Sequence, residues 1–266
     1  MGAEQVEQDG GSLAFRMQPY QLPLRRTILA VLLFSAAFGY LEAAVVSYLR
    51  DLHEPARQRF YPGRPPGDLF PLLTLEQVRQ SGAVQPKTLA IEIGREAATI
   101  VMLAGIALAA ARNAGQFAAV LAIAFGVWDI AFYLFLKVLL GWPASLFTWD
   151  ILFLLPVPWT GPVLAPVLVS AAMIGAGVYH LWREAGARPV RIGRARWLGI
   201  TAGAGVIVLA FAVDYRNIMT AGMPHPFHWG IFALGLGGGL LPYVHAAMAK
   251  PGVESVRIPE AARPPR

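Results

Sequence analysis

The stretch FAAVLAIAFGVWDIAFYLFL, residues 117–136, is apolar almost throughout and carries one charged side chain, Asp129. About 20 such residues are enough for an α-helix to cross the hydrocarbon core of a bilayer, so this stretch predicts a transmembrane helix. The chain as a whole is also strongly apolar, since 56% of its 266 residues are hydrophobic. Only 14% are charged, against about 25% in a soluble domain. We therefore expect an integral membrane protein rather than a soluble enzyme or a disordered chain.

Apolar blocks of this kind recur along the chain and predict an all-α, polytopic transmembrane bundle of about six spans. The blocks lie at 27–49, 88–111, 117–140, 162–182, 197–213 and 229–249. The first block follows two arginines, as in a signal peptide, but it is longer than the apolar core of about 7–15 residues found there, so we expect an uncleaved anchor. The transmembrane domain is then 27–249, with a polar N-terminal segment at 1–26 and a Pro-rich tail at 250–266.

The segment 142–160 lies between the third and fourth blocks and differs from them in composition. Three prolines interrupt it, at positions 143, 156 and 158, and proline disfavours a continuous helix. Its three tryptophans suit the membrane–water interface. We predict an interfacial or re-entrant segment, with a seventh span as the less favoured alternative.

Lysine and arginine are distributed unevenly between the predicted loops. With the N-terminus inside, the inner segments hold 13 of these residues and the outer segments 7, and six of the seven lie in the long loop at about 50–87. The positive-inside rule then predicts that both termini are cytoplasmic and that the 50–87 loop is outside. The same rule explains the net charge of +6, so no nucleic-acid partner is expected.

A sequence repeat links the first and third spans. AFGYLEAAVVSYLR, residues 37–50, and AFGVWDIAFYLFLK, residues 124–137, are identical at five positions, and AFAVDYR at 210–216 is a weaker third copy. The copies lie in odd-numbered spans, which run in the same direction, so the pattern suggests three related helical hairpins. Chance similarity is the alternative, because the repeated residue types are common in spans.

Charged side chains inside the spans are the main candidates for function, because burying charge in a membrane is unfavourable. At about 1.5 Å per residue, three spans each place a carboxylate about 12–14 Å below their outer ends. Glu92 and Glu96 share one helix face because they are four residues apart. We predict one intramembrane polar site that faces the extracytoplasmic side. Its members are Glu42, Glu92, Arg95, Glu96 and Asp129.

The charges of this predicted site do not balance. Four carboxylates against Arg95 leave a net charge of −3 if all are ionised. A dry site does not hold such a charge, so carboxyl groups are protonated or a cation is bound. The alternative is structural, with Arg95 paired to one acid and the other acids protonated or facing lipid headgroups.

A divalent metal is one cation that this region could bind. The outer loops add Asp150 and the two histidines of MPHPFHW, and carboxylate with imidazole suits Zn, Fe or Mn. The candidate metal ligands are Glu42, Glu96, Asp129, Asp150, His225 and His228. Interfacial histidines beside Trp229 are the competing interpretation, because Pro226 breaks helical spacing between the pair. His180 and His245 lie toward the inner side, where hydrogen bonding to a neighbouring helix is a commoner role than haem ligation.

No catalytic residue can be assigned from sequence motifs. Neither G-x-S-x-G nor H-E-x-x-H occurs, and the chain has no cysteine.

Several segments resemble a group of bacterial polytopic membrane proteins of uncharacterised function. They are FGYLEAAVV (38–46), REAATIVML (95–103), FGVWDI (125–130) and LGWPASLFTWDILFLLPVPWTGPVLAP (140–166). The resemblance covers about residues 38–182. It implies the bacterial inner membrane and carries no activity, cofactor or catalytic residue.

Two classes of function follow from the predicted site. It belongs to a metal-assisted enzyme acting on a membrane substrate, or it is a proton or ion relay in a transporter. A third alternative is a structural subunit of a larger membrane complex. The expected partners are the lipid bilayer and either another membrane protein or a second copy of the chain.

Overall fold

The computed structural model describes residues 24–65, 67–82 and 86–249. The predicted tail at 250–266 and residues 1–23 of the predicted N-terminal segment lie outside that range. The elements in chain order are α1 (Leu24–Phe60), α2 (Leu75–Ser81), α3 (Pro86–Ala110), α4 (Ala114–Leu140), β1 (Trp149–Phe153), β2 (Trp159–Pro162), α5 (Leu164–Ala185), α6 (Arg194–Ala212), α7 (Tyr215–Met219) and α8 (Trp229–Met248). Helices α1, α3, α4, α5, α6 and α8 are long and apolar enough to cross a membrane. The prediction of a multi-pass helical membrane protein is confirmed.

Helix α1 is longer than the span that hydropathy predicts. Its 37 residues extend about 55 Å, against a hydrocarbon core of about 30 Å. The predicted span ends at 49, yet the helix continues through RDLHEPARQRF to Phe60. Most of these added residues are good helix formers, and their polarity ends the apolar run without ending the helix. The predicted loop at about 50–87 is therefore helical at both ends and contains α2 in between.

The core forms where α4 packs along α1 on one side and along α5 on the other, and α6 packs along α8. Glycines permit these close approaches, as is common between membrane helices. A Cβ at Gly39 would lie 2.7 Å from the Trp128 carbonyl oxygen on α4, and one at Gly126 would lie 2.6 Å from the Ser170 carbonyl oxygen on α5. Gly39 and Gly126 occupy equivalent positions in the sequence repeat. Helix α1 packs mainly on α4 rather than on its own hairpin partner α3. The duplication into three related hairpins stays a prediction.

The segment predicted to be interfacial or re-entrant forms an antiparallel β-hairpin. Asp150 lies opposite Gly161 and Ile151 opposite Thr160, with an irregularity in register between Ile151 and Phe153. Strand structure was not predicted from the sequence here, although aromatic and β-branched residues favour it. The hairpin takes the place of the alternative seventh span.

The hairpin enters the helical bundle. At its tip, the backbone N–H of Leu154 donates to Glu96 Oε2 at 2.9 Å. Glu96 lies about 15 Å along α3 from the start of that helix. Backbone that is not helical needs a polar partner at such a depth, and Glu96 supplies one. Pro156 and Pro158 at the tip have no N–H, which reduces the number of donors that need a partner.

The connections between spans differ greatly on the two sides of the bundle. The segments 61–65, 67–82, 141–163 and 213–228 all lie on one side, which we call the loop side. The opposite side has only the short connections 111–113 and 186–193 between the described helices. An even number of spans places Leu24 and Met248 together on the side with short connections.

Candidate functional site

A cavity of about 240 Å³ lies in the loop-side half of the bundle, lined by five spans and the hairpin. All five charged residues of the predicted polar site line it: Glu42, Glu92, Arg95, Glu96 and Asp129. They lie on α1, α3 and α4. Glu42 on α1 and Asp129 on α4 lie at similar depths in the bundle, so both side chains reach the cavity. The structure thus brings these side chains to one place. That they bind a ligand stays a prediction.

Arg95 is shared between two of the acids. Its guanidinium forms ion pairs with Glu42 on α1 and with Glu92, three residues earlier on α3. The Nε–H of Arg95 also donates to Glu92 Oε2 at 2.9 Å, and the Thr99 hydroxyl lies 3.4 Å from Glu42 Oε2. One positive charge therefore faces two carboxylates, and the arrangement ties α1 to α3.

Glu96 and Asp129 have neutral hydrogen-bond donors instead. Glu96 accepts from the Leu154 N–H, and Asp129 Oδ2 accepts from the Ser170 hydroxyl at 2.8 Å. Both residues are more than 90% buried, at 8% and 7% exposure. Neither forms an ion pair within the described ranges. A buried carboxylate without a cation is unfavourable, so each group is either protonated or matched by a bound cation.

Aromatic side chains make up much of the remaining cavity wall. They are Phe125, Trp128, Phe132, Tyr133, Phe153, Trp159 and Phe211. The indole Nε1 atoms of Trp128 and Trp159 are buried, and neither finds an acceptor in the part of the chain that the structure describes. Buried N–H groups usually have a partner. The sequence does not mark these residues as part of the site, because aromatic residues in spans are typical of packing. The one available signal is the position of Trp128 beside Asp129.

Asp150 lies at the base of the hairpin and does not line the cavity. The hydroxyl of Tyr133, which does line it, donates to Asp150 Oδ2 at 3.0 Å. Burial raises the pKa of Asp150 to about 6, although the guanidinium of Arg50 and the Tyr133 hydroxyl act in the opposite direction. The Arg50 guanidinium itself stacks 3.9 Å above the Trp142 ring. Asp150 therefore fixes the hairpin to α4 through its hydrogen bond with Tyr133.

The two histidines of the MPHPFHW motif lie apart from the cavity. His225 Nδ1 is 2.7 Å from Asp214 Oδ1, and its backbone N–H donates to Asp214 Oδ2 at 3.0 Å. Asn217 Nδ2 donates to the same carboxylate oxygen and to the Met223 carbonyl. These contacts close the loop between α6 and α8. His228 is exposed and directly precedes α8.

The predicted metal ligands are therefore not assembled as a set. Glu42, Glu96 and Asp129 line the cavity, whereas Asp150, His225 and His228 do not. Among the described residues, no group of three or more histidine, aspartate or glutamate side chains is placed to hold a metal ion. The reason is local competition: Asp214 engages His225, and Tyr133 engages Asp150.

Two further histidines, His180 and His245, lie toward the side with short connections. His245 Nδ1 is 3.3 Å from Arg196 Nη2, which joins α8 to α6. His180 is buried on α5, against Gly115 of α4. The His245 contact is a hydrogen bond between neighbouring helices, the role that the sequence favours over haem ligation.

Comparison of the chain with protein-family models, with curated proteins and with solved structures gave no match.

Proposed function

We propose that the cavity binds protons or a small cation and that the protein is a proton- or cation-coupled transporter. The observation that carries this proposal is the convergence of five charged side chains from three spans on one cavity. Charged residues inside a membrane bundle commonly mark proton and ion pathways.

The charge arrangement supports binding of positive charge. Arg95 offsets one of the two carboxylates that it contacts, while Glu96 and Asp129 have neutral donors alone in the described ranges. A proton or a cation would remove the remaining negative charge. A purely structural role would use the Arg95 pairs, but it leaves a cavity beside the buried Asp129 without explanation.

The metal-assisted enzyme is less well supported than the transporter. A divalent transition metal needs several protein ligands, and the described residues do not offer three together. Elemental analysis of the purified protein separates the two, since an enzyme of this type would retain metal in a fixed ratio.

The location of the protein is part of the proposal. We place it in the bacterial inner membrane, as the resemblance of its segments implies, with the loop side outward and both termini cytoplasmic. The predicted inner segments hold 13 lysine and arginine residues and the outer segments hold 7, which supports this orientation. The bilayer is the expected environment, and association with a second copy or another membrane protein remains a proposal.

The proposal is tested by titrating purified protein in a maltoside detergent with protons and with chlorides of Na⁺, K⁺, Mg²⁺ and Mn²⁺. The readouts are tryptophan fluorescence, since two tryptophans line the cavity, and the unfolding temperature. Asp129→Asn removes one buried carboxylate, and Asp51→Asn removes an exposed one on α1 as the matched control. We expect Asp129→Asn alone to lose or shift the response. Equal responses in wild type and both variants would refute the proposal.

A further inference from the structure

We infer that the cation bound in this cavity is a small organic ammonium ion. The inference rests on the proposed function, because it assumes that the cavity binds positive charge. Two features carry it: two carboxyl groups without a cationic partner among the described residues, and an aromatic wall.

The carboxyl groups account for the positive charge of the ligand. Among the described lining residues Arg95 is the one cation, and Glu42 and Glu92 already engage it. Asp129 and Glu96 accept from a hydroxyl and a backbone N–H, so their charge is free to pair with an ammonium group. The same negative field would repel a carboxylate or phosphate close to these acids.

The aromatic wall accounts for the organic nature of the ligand. Phe125, Trp128, Phe132, Phe153 and Trp159 surround the acids, and aromatic faces attract ammonium groups, most strongly when water is excluded. Aromatic rings do not replace the oxygen and nitrogen ligands that a metal ion requires. The volume of about 240 Å³ is close to the lower end, about 300 Å³, of small-molecule pockets and exceeds what a bare ion fills.

The ammonium group has two potential sources, a free solute or the headgroup of a lipid. Both present the same chemistry to the cavity. A soluble compound would bind in detergent without lipid. A headgroup would bind only when lipid carrying it is present.

The test compares two soluble probes on full-length protein in maltoside detergent, by unfolding temperature and tryptophan fluorescence. Choline carries the ammonium group, and 3,3-dimethyl-1-butanol has the same shape without charge. We expect choline to bind about tenfold or more tightly than the neutral analogue. A second arm uses phosphatidylglycerol nanodiscs with and without phosphatidylcholine. If phosphatidylcholine saturates the binding site without added choline, the lipid headgroup is the source.

A variant and its control test the role of the carboxyl group. Asp129→Asn should abolish the preference for choline over its neutral analogue, whereas Asp51→Asn, at an exposed position, should keep it.

The outcomes distinguish this inference from the proposed function. If choline and lipid headgroups fail to bind wild-type protein, or the neutral analogue binds as well as choline, the ammonium inference is overturned. The proposed function survives that result provided that protons or metal cations still act through Asp129. If no cation, organic or inorganic, acts through Asp129, both are refuted.

Discussion

The backbone N–H of Leu154 donates to the carboxyl group of Glu96 at 2.9 Å, which joins the tip of the β-hairpin to α3. A charged residue that hydropathy marks as a functional candidate thus also has a structural role. It satisfies a backbone donor that would otherwise lie unpaired inside the bundle.

The Glu96 contact predicts different effects for two substitutions. Glu96→Gln keeps an oxygen that can accept the hydrogen bond, so its unfolding temperature should remain close to that of wild type. Glu96→Ala leaves the Leu154 N–H unpaired, and the free energy of unfolding should fall by about 1–3 kcal/mol. Glu76→Ala, at an exposed position on α2, is the control in the same thermal assay. Equal stability of the Ala and Gln variants would show that this bond does not hold the hairpin.

The sharing of Arg95 between two acids predicts an asymmetry. Arg95→Gln leaves Glu42 and Glu92 without a cation, and loss of one partner from a buried pair typically destabilises by about 3–5 kcal/mol. Glu42→Gln should have a smaller effect, because Arg95 retains Glu92. Denaturant unfolding in detergent measures both. The double variant should be more stable than Arg95→Gln alone, and a Glu42→Gln protein as unstable as Arg95→Gln would contradict the shared pair.

The contact between α6 and α8 predicts a position-specific effect of added methyl groups. Gly203 lies against the backbones of Gly235 and Gly239, whereas a Cβ at Gly205 meets no atom within 4 Å. Gly203→Ala should separate the helices and destabilise the protein by about 1–3 kcal/mol. Gly205→Ala should be neutral or stabilise by up to about 1 kcal/mol, because alanine favours helix. Unfolding temperatures of the two variants provide the measurement, and equal values would argue against close packing at Gly203.

The buried Asp150 predicts a pH dependence of stability. Its pKa is raised by burial to about 6 from an ordinary value of 3.8, so the folded state favours the protonated carboxyl. This contribution is complete below about pH 4 and is lost as pH rises through about 6, by up to about 3 kcal/mol. Asp150→Asn does not titrate. The stability of wild type relative to this variant should therefore fall between about pH 4 and 7, and a constant difference would contradict the shift.

The distribution of basic residues predicts the orientation. Reporter fusions at residue 70, on the loop side, and at residue 190, on the opposite side, should report periplasmic and cytoplasmic locations respectively. A cytoplasmic signal at residue 70 would reverse the orientation and place the cavity toward the cell interior.

Hydropathy alone predicted the six spans, because the bilayer requires about 20 consecutive apolar residues and the chain shows them in separate blocks. The depths of Glu42 and Asp129 also followed from the sequence, since a helix rises by a constant amount per residue. Counting residues to Arg50 and Lys137 was sufficient to place both acids at one level. The helical continuation of α1 to Phe60 did not follow, because hydropathy records where a run stops being apolar and not where a helix ends.

Tertiary structure decided which groups meet. The sequence contains no local signal that Arg95 pairs with Glu42, that Leu154 bonds to Glu96, or that Trp159 reaches the same cavity as Trp128. These contacts join residues far apart in the chain, and they depend on how helices pack and which way the hairpin folds. Asp214 shows the same limit, since its engagement of His225 within a loop removed a predicted metal ligand from the site. Membrane spans are determined by solvent, which acts on each segment separately, whereas a site is determined by side-chain contacts that exist only in the assembled bundle.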